Sequence, residues 1–156
     1  MDARERWRVD SERSTLTFSI RHAFLRQIRG QFHCWGGLVL LDRARPRGTT
    51  VRMWVDLSSI DTGSAKRDEE FLTTELLEPQ WEPGLVFDSE RVDIAGVEGG
   101  VEGGIEGGVI IGKLALHGSA REITVAVEPG VPRGGASGAR RLVYTARTSI
   151  DRGAFG

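Results

Sequence analysis

Apolar and polar residues alternate along much of this chain, most clearly over residues 14–22. If this segment is extended, Leu16, Phe18, Ile20 and His22 share one side, while threonine, serine and arginine occupy the other. Side chains of a β-strand point alternately to its two faces, so the alternation predicts a strand with one buried and one solvated face. Similar runs recur almost to the end of the sequence, and they predict an all-β chain.

Most of the remaining chain divides into further strand-like segments. These are residues 7–9, 28–42, 49–60, 85–94, 109–117, 121–128 and 140–151. Residues 28–42 are too long for one uninterrupted strand, and Gly36 and Gly37 in their middle predict a bend. Gly118 and Ser119 predict a hairpin turn. About seven or eight strands at this spacing favour an antiparallel barrel or sandwich, and the lack of crossover helices argues against a parallel α/β fold.

One segment, residues 64–77, has the spacing of a short helix instead. Its apolar residues recur at helical intervals, Ser64 can cap its N-terminus, and Pro79 prevents its continuation. The preceding residues 61–63, D-T-G, have the composition of a turn in which the aspartate bonds its own backbone. The sequence therefore predicts one short helix, introduced by a tight turn.

Size and charge limit the classes of function. The 156 residues suit one domain, residues 1–156, and 21 basic against 22 acidic residues argue against a nucleic-acid partner. Cys34 is the only cysteine, so no internal disulfide can form. The N-terminal residues lack the apolar region of a secretory signal, and no long apolar run predicts stable membrane insertion. We therefore expect a soluble, cytoplasmic protein.

Several motifs suggest chemistry but are incomplete. Residues 107–113 match G-x-x-x-x-G-K, but Leu114 stands where a P-loop needs Ser or Thr, and the segment looks extended. Residues 135–139 begin like a nucleophile elbow, yet Ala139 replaces its last glycine. The histidines, His22, His33 and His117, lack the spacing of metal ligands. We therefore predict no catalytic residues, no metal and no cofactor.

An adjacent pair of opposite charges and a glycine-rich repeat have structural rather than catalytic interpretations. Arg67 and Asp68 predict a surface or inter-element ion pair rather than a catalytic one. Residues 97–108 repeat V-E-G-G, V-E-G-G, I-E-G-G, a period that fits neither strand nor helix well. Units of four residues are too short to form a solenoid, so the repeat predicts a flexible hairpin arm.

Eight short segments, taken in order, resemble the YceI-like family of lipid-binding proteins. They are W-R-V-D (7–10), F-S-I-R-H (18–22), I-R-G-Q-F (28–32), G-L-V-L-L-D (37–42), S-S-I-D-T-G-S-A-K-R-D (58–68), L-V-F-D-S (85–89), I-G-K-L-A-L-H-G (111–118) and I-D-R-G-A-F-G (150–156). The segment at residues 58–68 is the most specific of them. The resemblance implies a lipocalin-like antiparallel barrel with an elongated apolar bore. It also implies a polyisoprenoid or isoprenoid quinone as ligand, and a possible homodimer.

The chain departs from the family pattern in three places. Glu70 and Phe71 stand where many members carry a histidine, and the glycine repeat is unusual. The family also continues into a further strand after the R-x-x-F-G signature, whereas this sequence stops at Gly156. A missing strand predicts an exposed sheet edge, so the chain is clipped, or a partner covers the edge, or the barrel is partly open.

The inward positions of the predicted strands and helix supply the candidate ligand-binding residues. They are Phe18, Ile20, His22, Phe32, Leu38, Met53, Val55, Phe71, Leu72, Phe87, Leu114, Leu116 and Tyr144. Of these, His22 and Tyr144 could meet a polar headgroup, because apolar pockets often carry a few polar groups. Trp35 and Trp54 fall off the predicted inner faces, so we expect them to seat the helix or form a dimer contact.

The function predicted from these residues is the sequestration or transport of a long-chain apolar lipid without chemistry. Two other classes stay open. One is an interaction module with a fully packed barrel, whose edge strand or glycine arm recruits a protein. The other is a lipid-modifying enzyme, which would need a polar constellation inside the bore.

Overall fold

The computed structural model describes residues 4–22, 26–72, 84–94, 107–116, 118–130 and 141–150. Within them lie ten strands: β1 (Glu5–Arg8), β2 (Leu16–His22), β3 (Arg26–Phe32), β4 (Trp35–Leu41), β5 (Thr50–Asp56), β6 (Ile60–Asp61), β7 (Gly84–Ile94), β8 (Gly108–Leu116), β9 (Ser119–Pro129) and β10 (Tyr144–Arg147). The α-helix, α1, spans Ala65–Glu70, and short 3₁₀ turns occupy Pro46–Gly48 and Leu57–Ser59.

The strands form two antiparallel sheets. The larger has seven strands in the order β1-β4-β5-β7-β8-β9-β10, and the smaller has the order β2-β3-β6. The larger sheet curls into a half-barrel, as the right-handed twist of adjacent strands favours. The prediction of an all-β antiparallel fold with one short helix is therefore confirmed.

The main core lies on the concave side of the seven-stranded sheet, which we call the inner face. Its residues alternate along the strands with side chains that point outward, and Leu114 in β8 is only 2% exposed. The inner face carries Val51, Met53, Val55, Leu85, Phe87, Val92, Ile110, Leu114, Leu116, Ile123, Val125 and Val127. The predicted alternation of β5, β7 and β8 is thus observed.

A bulge lets both halves of the long strand β7 contribute to this face. Phe87 and Val92 are an odd number of residues apart, so a regular strand would point them to opposite sides. The register between β7 and β8 shifts between Ser89 and Arg91, which resets the alternation. Val92 is consequently buried with Phe87 in one cluster.

A second core joins α1 to the small sheet. Ile60 and Phe71 are its buried members, and Phe18, Ile20, Ile28, Phe32 and Leu72 pack against them. The rings of Phe18 and Phe32 lie with their centroids 5.0 Å apart. Because Phe32 also packs against the main core, it links the two sheets.

The face assignment predicted for β4 is wrong by one residue. Residues 28–42 are interrupted at His33 and Cys34, between β3 and β4, and not at the glycine pair where the bend was predicted. A one-residue shift moves every side chain of a strand to the other face. Trp35 therefore lies in the main core, and Leu38 does not. Leu38 lies opposite Arg52, on the outer side.

The other observed elements differ less from those predicted from the sequence. The hairpin is confirmed, since Leu116 pairs with Ser119 and Gly118 has a φ of 76°. Helix α1 begins after Ser64, whose hydroxyl accepts a bond from the Arg67 amide, as predicted. The last strand is shorter than the predicted residues 140–151, and all its residues are exposed. The predicted end of the helix, most of the glycine repeat, the elbow-like residues 135–139, His117 and residues 151–156 lie outside the described residues.

Candidate ligand-binding site

The inner face offers an apolar surface that is not fully buried. Nine apolar side chains pack against the main core yet stay half-buried: Val9, Leu16, Phe32, Val51, Met53, Leu85, Ile123, Val125 and Val127. They come from both sheets, because Leu16 lies in β2 and Phe32 in β3. Together they form a partly accessible apolar surface to which both sheets contribute.

Three of the predicted ligand-binding side chains lie against glycines of neighbouring strands. A Cβ placed on Gly112 would lie 2.7 Å from the Phe87 ring, and one on Gly30 would lie 2.5 Å from the Phe18 ring. Met53 lies across Gly37 in the same way. Real Cβ contacts are longer, so these side chains occupy the room that the missing methyl groups leave. They therefore lie flat along the sheet.

On the outer side of the sheet, Trp54 also lies across a glycine of the neighbouring strand. Its indole lies across Gly36, with the nearest ring carbon 2.8 Å from an ideal Cβ position, and Trp54 stays 46% exposed. Its predicted place off the inner face is thus confirmed. Adjacent glycines in β4 accept one side chain of β5 on each side of the sheet, because Gly37 pairs with Met53 and Gly36 with Trp54.

The structure divides the predicted ligand-binding residues among several places. The main core contains or contacts Phe32, Met53, Val55, Phe87, Leu114 and Leu116. The second core contains or contacts Phe18, Ile20, Phe32, Phe71 and Leu72. Ala146 pairs with Val127, and Tyr144 lies two residues before Ala146, so it is on the same side of the sheet; Tyr144 is 36% exposed. The side chain of His22 lies outside the described part of the chain. Ligand contact by these residues stays a prediction.

A polar group that the sequence reasoning missed lies at one end of the inner face. The Arg43 Nε donates to Glu5 Oε1 at 2.7 Å, and its Nη2 donates to Oε2 at 3.1 Å. The indole N–H of Trp7 donates to the same Oε2 at 3.0 Å. The available signal was the alternation of Glu5, Trp7 and Val9 with exposed arginines, which resembles the other one-sided strands.

The environment of Arg43 keeps its guanidinium charged. Hydrogen bonding to Glu5 raises the pKa of Arg43 above its ordinary value, and the charge of Glu5 adds to this effect. Partial burial acts in the opposite direction, and the nearby Tyr144 hydroxyl gives a further small increase.

The most family-specific segment, residues 58–68, lies in what we call the corner, residues 56–68. The Asp61 carboxylate accepts a bond from the Gly63 amide at 2.9 Å, which confirms the predicted turn. The Asp68 Oδ1 accepts from the amide and hydroxyl of Thr62, at 2.9 and 2.6 Å. Asp68 thus ties helix α1 to the turn, and its described bonds go to Thr62 rather than to the predicted partner Arg67.

Asp61 also binds a histidine from the neighbouring strand junction. Its Oδ2 lies 2.8 Å from Nε2 of His33, and both side chains are about half exposed. The bond to His33 lowers the pKa of Asp61, and the Gly63 amide lowers it further. The pair fixes the junction between β3 and β4 against the turn, and it lies away from the inner face.

Two further findings concern the P-loop-like segment and membrane-spanning helices. Gly112 and Lys113 lie inside β8, so the P-loop-like segment is a strand, as the sequence predicted. In the described ranges no helix is both long enough and apolar enough to cross a bilayer.

Comparison with known proteins places this architecture in one family. A model described as a YceI-like domain matches residues 7–156. A UPF0312 protein of Pseudomonas aeruginosa strain LESB58 is 24% identical over 121 residues. Protein YceI of Salmonella newport is 26% identical over 121 residues. Each alignment covers 76% of this chain, which spans only 59% of the length of either relative.

Solved structures extend the likeness to the fold. BcnA of Burkholderia cenocepacia superposes with a TM-score of 0.73 at 22% identity, over 94% of this chain and 83% of that one. A YceI protein of Campylobacter jejuni gives 0.68 at 18% identity, over 94% and 81%. These neighbours are lipocalin-like barrels, which confirms the predicted architecture. Since the family model covers nearly the whole sequence, the chain belongs to the YceI-like family.

Proposed function

We propose that this protein binds a long-chain apolar lipid, such as a polyisoprenoid or isoprenoid quinone, and carries or sequesters it. The ligand would lie between the small sheet and the inner face of the half-barrel. The observation that carries the proposal is the set of nine half-buried apolar side chains to which both sheets contribute. Large apolar surfaces that a protein leaves accessible commonly mark binding sites.

Burial of a hydrocarbon tail can drive such binding. Each 25 Å² of apolar surface removed from water contributes about 0.6 kcal/mol, so a long hydrocarbon tail gains several kcal/mol. Ordering the tail and its surroundings offsets part of that gain. The proposal needs no bond to be made or broken, so the protein acts as a carrier and not as an enzyme. Family membership supports the choice of an isoprenoid, because that is the ligand class the resemblance implies.

A pair of variants on β9 tests this location. Val125 is half-buried on the inner face, and its neighbour Thr124 is exposed on the outer side. Val125→Glu places a charge in the proposed path, whereas Thr124→Glu places the same charge outside it. We expect Val125→Glu to abolish binding of a fluorescent prenyl probe and Thr124→Glu to leave it unchanged, with circular dichroism confirming that both fold.

Organic extraction and mass spectrometry of the purified protein give the ligand itself. A recovered prenyl lipid, absent from the Val125→Glu variant, supports the carrier. Equal binding by both variants, or no extractable lipid together with no probe binding, would contradict it. The second result would favour the packed interaction module.

A further inference from the structure

Strand β1 leads from the main core to a polar end. Trp7 lies opposite Val39, and Glu5 lies opposite Leu41, so both occupy the same side of the sheet as Val9. Val9 packs against the main core. A ligand tail that follows this side of the sheet outward therefore passes Val9 and Trp7 before it meets the Glu5 carboxylate.

The Glu5–Arg43 pair is built more firmly than a surface ion pair. Its two hydrogen bonds use both carboxylate oxygens, and the two side chains are only 35% and 27% exposed. The other described arginine pairs have one contact each, at 3.3 to 4.0 Å, and at least one strongly exposed partner. A bidentate fork of this kind holds the guanidinium in one orientation.

The charges of this group cancel, but its hydrogen-bonding capacity does not. A guanidinium has five N–H groups, and Glu5 takes two of them. The remaining donors can bond a ligand oxygen. Because Glu5 neutralises Arg43, a doubly or triply charged phosphate would gain little attraction there and would lose its hydration. The chemistry suits an uncharged oxygen atom.

We propose that Arg43, held by Glu5 and Trp7, is the subsite for an uncharged, oxygen-bearing headgroup, an alcohol or a carbonyl, at the end of the lipid path. The proposal rests on the lipid-binding function proposed above and adds the class of headgroup. Arg43 donates to the oxygen of the headgroup. Glu5 and Trp7 are positioning residues, since they orient the guanidinium.

Three probes with the same tail separate this subsite from lipid binding itself: geranylgeraniol, the matching hydrocarbon without a headgroup, and geranylgeranyl diphosphate. We expect the wild type to prefer the alcohol. Arg43→Met removes the donor, so affinity for the alcohol falls about tenfold, as loss of one hydrogen bond to a charged group implies. Affinity for the hydrocarbon stays within about twofold, since apolar burial is unchanged.

Arg52→Met is the matched control. Arg52 also pairs with an acid, Asp88 at 3.3 Å, but lies on the outer side and is strongly exposed. We expect it to change no affinity. Arg43→Lys keeps the positive charge but cannot form the two parallel hydrogen bonds of a guanidinium. It replaces Arg43→Met as the test variant if Arg43→Met fails to fold. We expect Arg43→Lys to lower affinity for the alcohol but not for the hydrocarbon.

The outcomes distinguish the two proposals. If the wild type binds none of the three probes, the lipid-binding function fails. If it binds the hydrocarbon and the alcohol, and the Arg43 variants weaken both equally or neither, lipid binding stands and the headgroup subsite is wrong. A wild-type preference for the diphosphate would also overturn the assignment of an uncharged headgroup.

Discussion

The inner face and the corner are specified in different ways. The inner face is a set of apolar side chains whose positions follow from strand alternation, with close packing around Leu114 and Val92. The corner is a set of directed hydrogen bonds in which Asp61 and Asp68 each accept two bonds, at fixed places in the sequence. The first needs apolar volume, and the second needs particular atoms at particular positions.

This difference explains where the family resemblance is strongest. Many combinations of Val, Ile, Leu, Met and Phe can fill an apolar face of a given volume. By contrast, few residues can replace an aspartate that bonds both groups of Thr62, or a glycine at positive φ such as Gly63. The segment at residues 58–68 is therefore a recognisable motif because it builds the corner, and it lies apart from the proposed lipid path.

The largest expected effect is on the inner face and depends on volume. Leu114→Ala leaves a cavity beside Phe87 and should lower the free energy of unfolding by about 3 kcal/mol. Leu114→Met keeps the volume and should cost less than about 1.5 kcal/mol. Denaturant unfolding followed by tryptophan fluorescence measures both. Equal losses would show that the inner face requires a particular shape and not merely apolar volume.

In the corner, removal of a single carboxylate should cost almost as much. Asp68→Ala leaves the Thr62 amide and hydroxyl without their acceptor, so we expect a loss of about 2 kcal/mol. The control is Asp93→Ala, which breaks an exposed ion pair with Arg47 at 3.7 Å and should cost less than about 0.5 kcal/mol. The same unfolding experiment compares them. Similar values for both would contradict a structural role for the corner.

A smaller effect is expected at the turn glycine. Gly63 has a φ of 85°, so Gly63→Ala should cost about 1 kcal/mol although nothing lies within 4 Å of the new methyl group. Gly84 has the same open surroundings without a positive φ, so Gly84→Ala should change stability by less than about 0.5 kcal/mol. Thermal unfolding of the two variants separates backbone strain from contact. No difference between them would rule strain out.

The smallest effect concerns the titration of the corner. His33→Ala removes the main cause of the lowered Asp61 pKa, so that pKa should rise toward its ordinary value of 3.8. The bond from the Gly63 amide remains and keeps part of the shift. NMR titration of the Asp61 carboxyl carbon measures the change. An unchanged pKa would mean that His33 does not bond Asp61 in solution.

The same variant predicts a sign for the pH dependence of stability. A carboxyl whose pKa is lower in the folded protein contributes stability above its unfolded pKa, and this contribution is lost as the pH falls through its folded pKa. The wild type should therefore exceed His33→Ala in stability above about pH 4, and the difference should vanish in more acidic solution. A difference that grows on acidification would contradict the assignment.

Local patterns account for much of the fold. Alternation predicted β2, β5, β7 and β8, and capping and turn chemistry predicted the start of α1 and the hairpin at Gly118. The assignment failed at β4 because the sequence does not mark where a strand is interrupted. Two glycines suggested a bend, but they serve to accommodate Met53 and Trp54, and the break falls at His33 and Cys34.

The polar end of the inner face shows a different limit. Glu5 and Arg43 are 38 residues apart, and neither stands in a motif. Their contact depends on the pairing of β1 with β4, which the sequence pattern does not specify. Periodicity can assign a residue to a face, but the partner across the sheet follows only from topology.

The junction between β3 and β4 has a practical consequence. Cys34 is the only thiol in the sequence and is exposed there, next to the buried Trp35. A maleimide dye can therefore be attached at this point without any substitution, where the chain passes from the small sheet to the half-barrel. The emission of an environment-sensitive dye at this point would report, in the native sequence, whether the surroundings of the junction change when a guest molecule enters.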